Sequence, residues 1–233
     1  MAQERTSTSS QLSQVTALAM ARKILNQEAE AILTLMEELD SSFLTCAQLL
    51  SDCTGLIWVT GVGTSESVGT RFAHILTDCG ARAMFLSPAQ GLHGHTGVIS
   101  PDDLLVAMSR GGESDEVIQM VSIANQRQAI TMAFVHNIHS RLAQVAQHVL
   151  PIRSKAEYEL MDYVATTSTL AFSAMCDALC AVVQQAKGYT VQQLSQTHPG
   201  GAVGQNLEAL RPADSASKGG VGTEGNASCP MRL

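Results

Sequence analysis

The run Leu104-Leu105-Val106-Ala107-Met108 has no polar interruption and leads straight into Ser109-Arg110-Gly111-Gly112-Glu113-Ser114-Asp115-Glu116. An unbroken short apolar run is what a parallel strand buried on both faces requires. The small residues after it form a turn. Ser114 and Asp115 then offer N-caps for Val117, Ile118, Met120, Val121, Ile123 and Ala124, which recur at helical spacing. Strand, tight turn and helix start together expose backbone N–H groups where an anion is stabilised. The hydroxyls of Ser109 and Ser114 and the guanidinium of Arg110 would add donors. A well-capped βα turn with no ligand explains the same residues, and taken alone this stretch favours that plainer reading.

The pattern repeats along the chain. Apolar strands are expected at Leu56–Val59, Ala83–Leu86, Ile130–Val135 and His148–Ile152. Helices are expected at about Glu66–Asp78, Ser140–Ala146 and Val164–Lys187, the last closed by Gly188 as C-cap. Two helices precede the first strand. Val15–Leu39 carries Leu18, Leu25, Ala29, Ile32, Leu33 and Met36, and a second, capped by Asp40 or Ser41, carries Phe43, Leu44, Leu49 and Leu50. Strands alternating with helices imply an α/β fold, a mainly parallel sheet covered on both faces. Ligands of such sheets gather at the carboxyl ends of the strands, which puts the turns after Val59 and Met108 at one rim. Residues 15–207 are read as one domain. Residues 1–14 and 208–233 are read as flexible tails, and the Gly/Ser/Ala-rich composition from Gly201 onward is too polar to build a core.

Charge and composition remove several function classes. The net charge is −7, with no lysine- or arginine-rich run, so a nucleic-acid partner is not expected. No apolar run approaches the roughly 20 residues that cross a bilayer, and the polar N-terminus has no secretory core, so no membrane partner is expected. The six cysteines are scattered, and Cys176 and Cys180, one helical turn apart, lack the spacing of a zinc site. They read as reduced core thiols of a cytoplasmic protein.

Gly61-x-Gly63-Thr64-Ser65 begins like a dinucleotide fingerprint, but Glu66 stands at its third glycine and Leu86-Ser87-Pro88 where an acidic residue should end the second strand. No nicotinamide cofactor is expected, and the lysine of a phosphate loop is missing as well. A hydroxyl-lined turn fit for a sugar or phosphate remains. Gly91-Leu92-His93-Gly94-His95-Thr96-Gly97 reads as a sugar-contacting loop; its two histidines lack a carboxylate set to complete a metal site. His74, His136, His139 and His148 are read as structural. Glu157, on a loop after the last strand, would share its rim with Glu116. The hydroxyls of Thr166–Thr169 have an obvious capping role at the long helix. His198-Pro199-Gly200-Gly201 stands outside any helical or strand pattern and reads otherwise as a plain chain reversal.

With these residues in place, the chain resembles the SIS (sugar isomerase) domain family, and within it the isomerase domain of the arabinose-5-phosphate isomerases. The carriers are Gly61-x-Gly63-x-Ser65, His93-Gly94, Ser109-x-x-Gly112-Glu113-Ser114-x-Glu116, Thr167-Ser168-Thr169 and His198-Pro199-Gly200-Gly201-x-x-Gly204, spread from about Gly55 to Leu207. The resemblance implies a three-layer sandwich with a five-stranded, flavodoxin-like parallel sheet. It implies a phosphosugar ligand, no metal or organic cofactor, and sites shared between subunits of a homodimer or homotetramer. Carried over residue by residue, the phosphosugar contacts fall on Gly63, Thr64, Ser65, Ser109, Arg110, Gly111, Gly112, Ser114, Thr167 and Ser168. The catalytic set falls on Glu116, Glu157 and His198, with His93 nearby.

Two positions depart from the pattern. Thr64 stands where the isomerases have lysine, and Gly111, preceded by Arg110, where they have a second serine. One cation is lost and another appears in the facing loop. An aldose–ketose isomerase moves a proton between adjacent carbons through an enediol, which asks for a base near carbon and an acid near the oxygens. The two glutamates suit acid/base work, and the histidines ring opening or carbonyl polarisation. The alternative is a non-catalytic phosphosugar-binding sensor or regulatory module, and the lost lysine is the feature that speaks for it.

Overall fold

The computed structural model describes residues 13–208, and the chain divides between Gly188 and Tyr189 into two compact units. The tail segments expected at 1–14 and 208–233 lie outside the described residues, apart from Ser13, Gln14 and Glu208. Ser13 is ordered as an N-cap: its Oγ accepts from Thr16 N at 3.1 Å.

The first unit opens with helices α1 (Gln14–Glu37) and α2 (Ser41–Asp52). Five strands follow: β1 (Ile57–Gly61), β2 (Ala83–Phe85), β3 (Leu104–Met108), β4 (Ile130–Val135) and β5 (His148–Pro151). All neighbours pair in parallel, in the order β2-β1-β3-β4-β5. This is the doubly wound order whose switch point lies between β1 and β3, and it bears out the expected five-stranded α/β sandwich. β3 and β4 end where the apolar runs end because both are central strands. β1 runs further than its apolar run: Thr60 and Gly61 continue the ladder, with Gly61 opposite Met108.

Helices α3 (Thr64–Asp78) and α7 (Thr167–Lys187) cover one face together with α2, around Leu50, Phe72, Leu76, Phe134 and Leu179. Helices α4 (Pro88–Gly91), α5 (Asp115–Gln126) and α6 (Arg141–Val145) cover the other, around Leu105, Met120, Val121, Val135 and Leu142. α1 packs on α7, with Leu35 in the shared core, while Val15, Leu18, Leu25, Leu33 and Met36 remain exposed. The apolar spacing of α1 therefore marks two faces, only one of which meets this unit. The expectation about membrane spans needs a correction: α7 is long and apolar enough to cross a bilayer by length and composition. Here half of its apolar window is buried against α1, α2 and α3.

The Gly91–Gly97 segment is less loop-like than its composition implied. α4 ends at Gly91, and a 3-10 turn spans His95–Val98. Gly91 is buried, and a Cβ there would meet the flexible end of the Met120 side chain in α5. Among the described residues all five cysteines are free thiols. Burial pushes the Cys46 thiol up to about 12, with Asp40 adding to the shift.

The second unit holds α8 (Val191–Thr197) and α9 (Gly201–Glu208). α9 adds a helix in the stretch from Gly201 onward, which its composition marked as too polar to build a core. α8 starts with a capping box, in which Thr190 Oγ1 accepts from Gln193 N and the Gln193 side chain returns to the Thr190 backbone. Gly204 lets α9 close on the preceding turn, since a Cβ would sit 2.7 Å from His198 O.

Candidate functional site

The turn after β1 and the turn after β3 meet at the switch point. A Cβ on Gly61 would stand 3.1 Å from Ser65 O and 3.2 Å from Met108 O, so the close approach of the two turns depends on glycine there. Gly63, with φ of 60°, ends the first turn as the N-cap of α3. α3 begins at Thr64, two residues before the start expected from the sequence, so Thr64 and Ser65 sit in its first turn. No side chain caps it.

In the second turn, Ser109 is buried and its Oγ accepts from Gly112 N at 3.1 Å and lies 3.4 Å from Ser114 Oγ. Gly112 has φ of 72°, and a Cβ on it would collide with Ser140 Oγ. Gly111 is different: a Cβ there meets open space. Ser114 occupies the N-cap position of α5, but its side chain turns toward Ser109 rather than capping. Both α3 and α5 thus start without side-chain caps, each leaving first-turn N–H donors and the positive end of its dipole.

Thr64, Ser65, Val68, Arg110, Ala165, Ser168, Thr169 and Phe172 line a small recess of about 20 Å³. It joins residues from both turns and from the start of α7. Four of the expected contact residues, Thr64, Ser65, Arg110 and Ser168, are brought together here. Thr167 is buried and its Oγ1 donates to Tyr158 O at 2.7 Å, a structural use.

Sequence reasoning missed the residue that organises this corner. Glu159, whose side chain is completely buried, accepts from Thr166 N at 2.7 Å and Ser168 N at 3.0 Å. It therefore caps α7 in place of the threonine hydroxyls, and Thr166 makes no side-chain cap. Arg110 Nε lies 3.4 Å from Glu159 Oε1, close enough for an ion pair but without hydrogen-bond geometry. Glu159 is far from Arg110 in sequence, and no local pattern marks it.

Of the four expected catalytic residues, the three in the first unit do not line this recess. Glu116 is exposed in the first turn of α5, and His93 is exposed after α4. Glu157 lies in a 3-10 turn spanning Ala156–Tyr158 and lines a separate cavity of about 380 Å³ with His136, Arg153, Ser154, Lys155 and Glu38. Glu157 was expected at the same rim as Glu116, and here it opens to this cavity, whose lining does not include Glu116. His136, read as structural, lines that cavity too. Its Nδ1 accepts from Ser154 N at 3.2 Å. Burial, with Arg110 and Arg153 beside it, holds its imidazole below the usual range. His198 belongs to the second unit, where it forms the C-cap of α8 and opens the turn to α9.

These features define an open α/β protein of the class that takes its ligand at a topological switch point. The chain belongs to the SIS domain family, which matches residues 49–182. It is 30% identical over 193 residues to the arabinose 5-phosphate isomerase KdsD of Yersinia pestis, covering 83% of this chain and 58% of that protein. The chain thus spans little more than half the length of that curated relative. A candidate sugar-phosphate isomerase from Listeria monocytogenes superposes with a TM-score of 0.78 at 26% identity, covering 82% of this chain and all of that one. The Escherichia coli CFT073 protein c3406, solved in a ligand complex, superposes with a TM-score of 0.77 at 20% identity over 80% of this chain and 100% of that one.

Proposed function

We propose that this chain is the isomerase domain of an aldose–ketose phosphosugar isomerase of the arabinose-5-phosphate type, working through an enediol. The observation that carries the reading is the recess at the β1/β3 switch point, where Ser65, Arg110 and Ser168 converge at the start of α3, which no side chain caps. That is the chemistry of a phosphate anchor. Identity of 30% to an arabinose 5-phosphate isomerase supports the substrate class and favours an enzyme over a non-catalytic sensor.

In this reading, Gly63, Thr64, Ser65, Ser109, Arg110, Gly111, Gly112, Ser114, Thr167 and Ser168 form the anchor and its frame. Arg110 supplies the cation that Thr64 does not. Glu116 and Glu157 exchange the proton, and His93 and His198 open the ring or polarise the carbonyl. Binding energy from the remote phosphate serves to orient the reacting carbons. The domain runs over residues 15–207 in the cytoplasm and needs no metal or organic cofactor.

The site is shared between subunits of a homodimer or homotetramer. Support comes from Glu157, which opens to a different cavity from the recess, and from the exposed apolar face of α1. Sedimentation should give a dimer or tetramer; a clean monomer at micromolar concentration contradicts sharing. Exhaustive chelation should leave phosphosugar binding intact.

The test of function is proton exchange in deuterated water with a panel of pentose and hexose phosphates. Deuterium should enter at the carbon next to the carbonyl of one of them, with interconversion of aldose and ketose. Binding without exchange for every sugar on the panel would assign the sensor role instead.

A further inference from the structure

Glu159 is a buried carboxylate to which the proposed reaction gives no proton to carry. Its two oxygens are already engaged by Thr166 N and Ser168 N at the start of α7. Those bonds fix the carboxylate at the start of the helix. Its side chain has no exposure, whereas that of Arg110 is one-third exposed. Arg110 approaches with Nε, and the Nε–H finds no hydrogen-bond acceptor although it is buried. A guanidinium has five donors in a rigid fork. One edge turned to Glu159 leaves the remaining N–H groups for a second anion on the recess side.

From this geometry we infer that Glu159 is a positioning residue: it orients the Arg110 fork so that the guanidinium presents its outer donors to a phosphoryl group. The inference rests on the phosphosugar reading above and deepens it. It explains how an arginine in the loop after β3 can serve an anchor built jointly with α3 and α7. A flexible arginine would give up much of its contact energy to side-chain ordering, and a buried fixed carboxylate removes part of that cost in advance. The opposing effect is repulsion between Glu159 and the phosphate. The two N–H bonds and the dipole at α7 offset it, because they already draw the carboxylate charge toward the helix.

A double-mutant cycle tests this, with calorimetric affinity for inorganic phosphate and for arabinose 5-phosphate as readout. Arg110→Ala should weaken both ligands about tenfold or more, the loss of one charge-assisted contact. Glu159→Gln should weaken them several-fold in the wild-type background and have no effect in the Arg110→Ala background. Equal losses from Glu159→Gln in both backgrounds, or no loss in the wild type, overturn the positioning role. If Glu159→Gln does not fold, Arg110→Lys decides. A lysine lacks the fork that spans two anions, so it should bind no better than Arg110→Ala, and full affinity in Arg110→Lys overturns the inference. Wild-type protein that binds neither phosphate nor any sugar phosphate overturns the phosphosugar reading, and the inference with it. Wild-type binding combined with an uncoupled cycle removes only the inference.

Discussion

The two ends of the central sheet use polar groups in opposite ways. At the amino end, Asp103 is buried and fully engaged. It accepts from Leu56 N at 2.7 Å, from Trp58 Nε1 at 2.9 Å and from Ser100 N at 2.9 Å. Arg127 closes the same end by donating to Ile99 O at 2.6 Å and Gly97 O at 2.9 Å. At the carboxyl end, α3 and α5 start without side-chain caps, and Arg110 Nε and Thr60 Oγ1 are buried without hydrogen-bond partners. One end is closed by its own side chains, while the other leaves two helix starts uncapped and two buried polar atoms without partners. The amino end should therefore govern stability, and the carboxyl end affinity.

Asp103→Ala should give the largest effect. It leaves the buried Trp58 N–H and two backbone N–H groups without an acceptor, for a loss on the order of 3 kcal/mol in denaturant melts. Phosphosugar affinity of the folded protein should not change. The pH dependence has a definite sign. Burial pushes the Asp103 carboxyl up, but the hydrogen bonds from Leu56, Trp58 and Ser100 outweigh it and hold it below the usual value. Its contribution is therefore fully present above about pH 4, the unfolded value, and is lost as pH falls through the lower folded value. Asp103→Asn should flatten that part of the acid-stability curve.

Gly112→Ala comes next. It combines a positive φ with a collision against Ser140 and should cost about 1–3 kcal/mol. It should also weaken phosphate binding, because the loop is displaced. Ser109→Ala removes the acceptor for Gly112 N and should cost about 1 kcal/mol in melts, again with lost affinity. Gly111→Ala, in open space, should change stability by less than about 0.5 kcal/mol. If Gly111→Ala were as damaging as Gly112→Ala, the account of this loop would fail.

The central strands were the most legible part of the chain. β3 and β4 are buried on both faces, so their apolar runs and their limits coincide. Boundaries moved where polar residues take part in regular structure. Thr60 and Gly61 belong to β1, and Thr64 and Ser65 to α3, although all four read as turn residues. α9 was missed because a short helix rich in glycine carries no strong periodicity. In the candidate site, Ser65 and Arg110 were legible as donors in turns after strands, while Ser168 entered only through the family resemblance. The Glu159 contact was not, since the fold alone brings that loop carboxylate to Arg110. The cavity that Glu157 lines was not legible for a related reason: sequence gives the end of the sheet but not which cavity a loop side chain enters.

The central claim is that the carboxyl end of the sheet, at the β1/β3 switch point, holds the phosphate of a sugar phosphate. The most direct measurement is a crystal structure of the protein soaked with arabinose 5-phosphate. The phosphoryl group should lie between the first turns of α3 and α5, within hydrogen-bond distance of Ser65 Oγ, the N–H groups of the 109–114 loop and the Arg110 guanidinium. A phosphoryl group bound elsewhere, such as the cavity beside Arg153 and Lys155, with the switch-point recess left empty, would contradict it.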